Sequence, residues 1–164
     1  MKNSILNVIK CAALIVPAVL LSGCNGSSQA DDDAPEAVNG APIYLRGDMN
    51  DYGVSGNFRL RKNEAGLCTE AALRAEWSPY HFKFADEKWS KGTNFGYMDP
   101  PGTIHDGQGP VMLNPNSKFE DLTLDVDKDG IYRFCLLKQN DSYFAGVMFV
   151  REGDEKSLSE TSSK

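Results

Sequence analysis

Positive charge is in short supply. Seventeen Lys and Arg stand against 23 Asp and Glu, giving a formal net charge of −6. A nucleic-acid binder needs a basic face to offset phosphate charge, and this balance argues against one. Long hydrophobic runs are also scarce. There is one, near the N-terminus, which excludes a polytopic membrane protein. Histidine is reduced to His81 and His105, so bases of the usual catalytic kind are few. No amphipathic helix of twelve or more residues and no internal repeat can be traced. A length of 164 residues suits one domain and excludes a multidomain enzyme. What is present is aromatic content: eight Phe, six Tyr and two Trp, which excludes disorder throughout.

The single apolar run reads as an address. Lys2 and Lys10 supply positive charge, and Cys11 to Leu21 is too short to cross a bilayer as a helix. Small residues follow in Leu21-Ser22-Gly23-Cys24, which resembles a bacterial lipobox. The resemblance implies that residues 1–23 are a signal peptide, cleaved before Cys24, and that the Cys24 thiol is acylated and anchors the chain to a membrane. An ordinary secretory signal with a chance Cys is the alternative. In Gram-negative lipoproteins an Asp after the Cys favours inner-membrane retention. Asn25 stands there, which leans toward the outer membrane.

Residues 24–41 contain hardly any large apolar residue and read as a disordered tether. Asp31-Asp32-Asp33 within it reads as a solvated charge run rather than a metal site. Residues 152–164 form a polar, flexible tail, which leaves 42–151 as the folded part. Cys68 and Cys135 remain after Cys11 and Cys24 are accounted for. An even count in an oxidising compartment predicts one disulfide, and the pair lacks the Cys-x-x-Cys spacing of a redox site.

Between turns rich in Gly, Asn, Asp and Pro lie short β-rich runs at 42–46, 58–61, 80–85, 111–113, 119–125, 131–137 and 143–150. Tyr80 to Ala85 alternates most cleanly. Leu67 to Trp77 fits a helix or a strand, and its hairpin-like neighbours favour a strand. The pattern predicts an all-β fold, an antiparallel β-sandwich of about seven to nine strands.

Candidate chemistry is sparse. His81 alternates with Tyr80 and Phe82 and reads as a strand-surface residue. His105 lies in a Gly-rich loop without a nucleophile turn, so no catalytic residues are assigned. Asp125-x-Asp127-x-Asp129-Gly130 matches half of a calcium loop, but Leu136 stands where the bidentate Glu belongs. It reads as a turn, and neither a metal nor a cofactor is expected.

The informative stretch is Phe82-Lys83-Phe84-Ala85-Asp86, followed by Trp89-Ser90 and Asn94-Phe95-Gly96-Tyr97. Aromatic residues among amides, ammonium groups and carboxylates are what sugar recognition needs. A flat ring covers the C–H patch of a pyranose, and the polar groups take its hydroxyls. The alternative is that Trp89 plugs one end of the sandwich.

Three segments resemble the starch- and glycogen-binding sandwiches that accompany pullulanases and branching enzymes. Tyr44-Leu45-Arg46-Gly47-Asp48-Met49-Asn50-Asp51-Tyr52 resembles their first motif, Phe82 to Asp86 with Trp89 their second, and Asp129-Gly130-Ile131-Tyr132-Arg133-Phe134 their late strand. The resemblance implies an immunoglobulin-like sandwich that binds α-glucan without cleaving it. Carried over by position, Trp89 stacks on glucose, Lys83 bonds hydroxyls, and Asn94 is a further hydroxyl partner. Tyr52 stands where the family usually has Trp and offers a smaller face. Asn114 and Asn116 compete for the family's late Asn.

The first expectation is therefore an outer-membrane lipoprotein that holds α-glucan near degrading enzymes. The second is a lipoprotein that uses the same sandwich to bind an envelope protein. A small hydrolase ranks last, because the chain is too short for the barrel such enzymes use.

Overall fold

Alternating apolar and polar runs broken by turn residues favour strands joined tightly. The computed structural model, which describes residues 37–160, has that form. In chain order the strands are β1 (Ala37–Val38), β2 (Ala41–Pro42), β3 (Tyr44–Gly47), β4 (Arg61–Asn63), β5 (Gly66–Leu73), β6 (Tyr80–Ala85), β7 (Asn94–Tyr97), β8 (Thr103–His105), β9 (Val111–Asn114), β10 (Leu122–Asp125), β11 (Gly130–Gln139) and β12 (Ser142–Arg151). One short helix, α1 (Glu155–Glu160), follows.

The fold is an all-β sandwich. One layer runs β3-β6-β10-β8, and the other runs β4-β5-β11-β12-β9. β7 joins the layers by pairing with β6 through Ala85↔Asn94 and with β9 through Gly96↔Asn114. The named strand pairings are antiparallel except β8 with β10. Alternate residues of each layer meet in the core. Phe82 of β6 packs edge-on against Phe134 of β11, ring centroids 5.0 Å apart. Leu45, Leu60, Leu73, Phe95, Leu122 and Leu124 are fully buried around them. Each such side chain contributes about 1.5–3 kcal/mol on leaving water. The same alternation turns Arg46, Lys83 and Asp121 to the outer face of the first layer. Arg46 is the register partner of Lys83, and Asp121 lies one step beyond the Leu122↔Phe82 pair.

The main set holds ten strands, more than the seven to nine expected, because β7 and β8 fall in segments read as loop. Leu67–Leu73 is strand, as expected, and ends in a 3-10 turn at Ala75–Trp77. The run expected at 58–61 is a 3-10 turn with an isolated bridge at Arg59, and the strand itself starts at Arg61. The strand expected over 119–125 begins only at Leu122. Asp127-Lys128-Asp129-Gly130 is not the hairpin turn expected: the chain bends at Asp127 and Lys128 and passes from β10 in one layer to β11 in the other.

A hairpin precedes β3. β1 and β2 pair across Asn39-Gly40, whose φ of 52° and 79° suit a tight hairpin turn, and Val38 is buried. The tail also has structure. Asp154 accepts the Ser157 amide at the start of α1, and Leu158 is buried. The expected signal peptide, Cys24, Asp31–Asp33 and the expected tether as far as residue 36 lie outside the described residues. Cys68 and Cys135 form the expected disulfide, as direct partners on β5 and β11 with Cα atoms 4.2 Å apart.

Candidate functional site

Two loops shape the outer face of the first layer. The first follows β3. Gly47 lies so close to β6 that a Cβ would meet the His81 carbonyl and Phe82. Asn50 then ties the turn back, accepting from Gly47 N at 2.9 Å and donating to the Leu45 carbonyl at 2.9 Å. Asp51 and Tyr52 follow in the left-handed region, φ 49° and 56°, where non-glycine residues are uncommon. The Tyr52 hydroxyl donates to Asp121 Oδ2 at 2.6 Å. Burial and that carboxylate push the phenol pKa up.

The second loop joins β6 to β7. Asp86 Oδ1 accepts from the amides of Lys88 at 3.2 Å and Ser90 at 2.8 Å. Burial alone raises the Asp86 pKa, but hydrogen bonds from Ser90, Thr93 and Lys88 outweigh it and hold the carboxyl below its usual range. Trp89, at φ 58°, presents its ring beside Tyr52, centroids 6.4 Å apart and planes tilted 41°. Trp89 is 37% exposed, so it does not plug the sandwich.

Lys83 projects from β6 into the floor and is 2% exposed. Its ammonium donates to Ser117 Oγ at 2.7 Å and lies 4.0 Å from Asp121 Oδ1. Burial lowers its pKa, partly offset by Asp121 and Glu120. Asn94 opens β7, where its backbone bonds Pro115 and Ser117. Its side chain is buried, and Oδ1 has no hydrogen-bond partner. A buried acceptor left unpaired is costly, so its place in a groove is informative.

The turn before β10 completes the wall. Glu120 Oε2 accepts from Ser117 Oγ, Lys118 N and Phe119 N at 2.7, 2.7 and 3.1 Å. These bonds pull the Glu120 pKa down to about 2. They hold Phe119 in the open, 90% exposed.

The result is a groove of about 530 Å³ lined by Tyr52, Lys83, Trp89, Asn94, Lys118, Phe119 and Asp121. Its volume is of ligand size. All four residues singled out in the sequence meet here. Lys118, Phe119 and Asp121 were not foreseen. Phe119 between Lys118 and Glu120 is the one local signal, an aromatic residue flanked by charges. Asn114 and Asn116 do not line the groove; Asn114 Oδ1 accepts the Asn116 amide at 2.9 Å.

The other candidates lie apart from the groove lining. His81 Nδ1 sits 3.1 Å from Asp48 Oδ2, and His105 Nδ1 sits 3.6 Å from Asp125 Oδ2. Asp129 Oδ1 accepts the Ala75 amide at 2.8 Å. Among the described residues no group of three or more His, Cys, Asp or Glu could hold a metal ion.

No family model and no curated protein matches the chain. A solved starch-binding domain, AmyP-SBD in its ligand-induced form, is similar at 14% identity over 87% of this chain and 96% of that one, with a TM-score of 0.46.

Proposed function

We propose that the protein is a non-catalytic lipoprotein of the bacterial envelope that binds α-glucan through the groove on the β3-β6-β10-β8 layer. The observation that carries this reading is convergence. Tyr52 from the turn after β3 and Lys83, Trp89 and Asn94 from the run spanning β6 to β7 line one open groove. Exposed aromatic surface there suits the C–H faces of pyranose rings. The Lys83 ammonium, the unpaired Asn94 Oδ1 and the Asp121 carboxylate suit the hydroxyls. Lys83 and Asp121 are opposite in sign and close together, which suits a neutral polyol better than an anion. An acyl chain on Cys24 would hold the groove at the membrane, and Asn25 favours the outer one. Binding without cleavage keeps the polymer near enzymes that degrade it.

Affinity electrophoresis tests the reading, using native gels that contain glycogen, pullulan, dextran or no sugar. Retardation of the wild type by glycogen or pullulan, lost in Trp89→Ala, is the expected result. A folded wild type that no glucan retards would overturn it.

One observation favours a second reading, docking to an envelope protein. Met112 and Met148 are 42% and 45% exposed, and both project outward from the opposite layer, where Met112 pairs with Phe144. Exposed apolar surface of that kind marks interaction sites. Affinity capture from envelope extract that recovers no partner at native levels would refute it.

A further inference from the structure

We infer that Arg46 is the positioning residue of the groove: its guanidinium holds both aromatic rings in place and leaves Trp89 a single face for a ligand. The inference takes its ligand, though not its geometry, from the glucan-binding reading. Arg46 points outward from β3, a direction in which an arginine would ordinarily be solvated, yet it is 8% exposed. Its Nε donates to the Tyr52 carbonyl at 2.7 Å. One terminal nitrogen donates to the carbonyls of Asp86 at 3.0 Å and Glu87 at 3.2 Å. The guanidinium carbon lies 3.6 Å from the centroid of the Trp89 ring. One side chain therefore binds both loops, the turn after β3 at Tyr52 and the β6–β7 loop at Asp86 and Glu87.

The demand for such a clamp is visible in the backbone. Tyr52 and Trp89 both have left-handed φ, a conformation that persists only where surroundings over-determine it. Arg46 supplies that constraint at the carbonyl of Tyr52 and at the two carbonyls leading into Trp89. Lysine could not replace it. Three carbonyls and a ring face are met at once only by a planar fork of five N–H donors, whereas an ammonium is a compact point donor. Stacking of a desolvated cation on the indole face adds to that hold on Trp89. The guanidinium also covers one face of the ring, so a sugar can stack only on the other. The platform is one-sided, and a pyranose cannot be sandwiched across Trp89.

The test uses the full-length protein in detergent with Trp77→Phe, which leaves Trp89 as the only Trp; Trp77 lies in the Ala75–Trp77 turn, outside the groove. Arg46→Lys should raise acrylamide quenching of Trp89 about twofold, as a second ring face opens. It should weaken retardation by glycogen about tenfold, the equivalent of ~1.4 kcal/mol. Unchanged quenching in a folded Arg46→Lys protein would overturn the inference and leave glucan binding standing. Quenching that rises in a protein whose Arg46-intact parent no glucan retards would remove the glucan reading and keep the clamp. Should Arg46→Lys not fold, the Arg46 Hε proton resonance decides. Stacked on indole, it should lie upfield and return toward its ordinary position in Trp89→Ala; no movement would overturn the clamp.

Discussion

Lys83 and Phe119 each stand where folding alone would not put them. The Lys83 ammonium is 2% exposed, with one hydroxyl partner and a carboxylate at 4.0 Å. Its lowered pKa means that the fold disfavours its charge, with burial as the main cause. Lys83→Met keeps length and removes that charge. Its melting temperature should stay within about 5 °C of wild type or rise. Glycogen affinity should fall at least about tenfold, because a hydroxyl partner is lost. A melting temperature that falls sharply would make Lys83 a structural residue. Phe119 is the opposite case, an apolar ring left in water on a tightly bonded turn. Phe119→Ser should leave thermal stability unchanged and weaken glycogen retardation about threefold to tenfold, the equivalent of ~0.7–1.4 kcal/mol. Unchanged retardation would limit the ligand to the Tyr52–Trp89 side.

At the scale of elements, the turn from Ser117 to Asp121 sets one wall of the groove, and Glu120 holds it. The Glu120 pKa is depressed from its ordinary value near 4.5 to about 2. A depressed carboxylate contributes stability that is fully present above the unfolded pKa and is lost as pH falls through the folded one. Wild type and Glu120→Gln should therefore differ in denaturant midpoint at pH 7, with the variant weaker, and converge as pH falls from about 4.5 toward 2. A gap that stays constant with pH would show that the acceptor geometry, not the charge, does the holding. β6 was legible in the sequence, since Tyr80, Phe82 and Phe84 alternate with His81 and Lys83, and period two survives without tertiary context. β7 was not. Asn94-Phe95-Gly96-Tyr97 has no clear alternation, and its place is fixed by distant backbone: a Cβ on Gly96 would meet the Glu120 carbonyl and Ser117 Oγ. β8 escaped notice for a similar reason, being three residues held by parallel pairing to β10. The four groove residues named in advance came through resemblance to a motif. Arg46 and Asp121 did not, because their roles arise from contacts across 43 and 69 positions of chain that leave no local pattern.

Across the whole molecule, the groove and the staple lie in different layers. The groove sits on the β3-β6-β10-β8 face, while Cys68–Cys135 joins β5 to β11 in the other layer. The staple closes a loop with a sequence separation of 67. In the chain-entropy model such a loop stabilises by about 4 kcal/mol, with native disulfides typically contributing about 2–5 kcal/mol. That contribution acts through the unfolded chain, and little of it is transmitted to residues of another layer. The paired change Cys68→Ala with Cys135→Ala should lower the urea midpoint substantially. At temperatures where the variant is folded, glycogen should retard it as strongly as wild type, since Tyr52, Lys83, Trp89 and Asn94 keep their places. Equilibrium unfolding and affinity electrophoresis on the same sample separate the two effects. If retardation weakened in step with stability while circular dichroism remained native, the two layers would be coupled. The groove would then depend on the packing of Phe82 against Phe134 that joins them, and Phe134→Leu should weaken retardation in the same way.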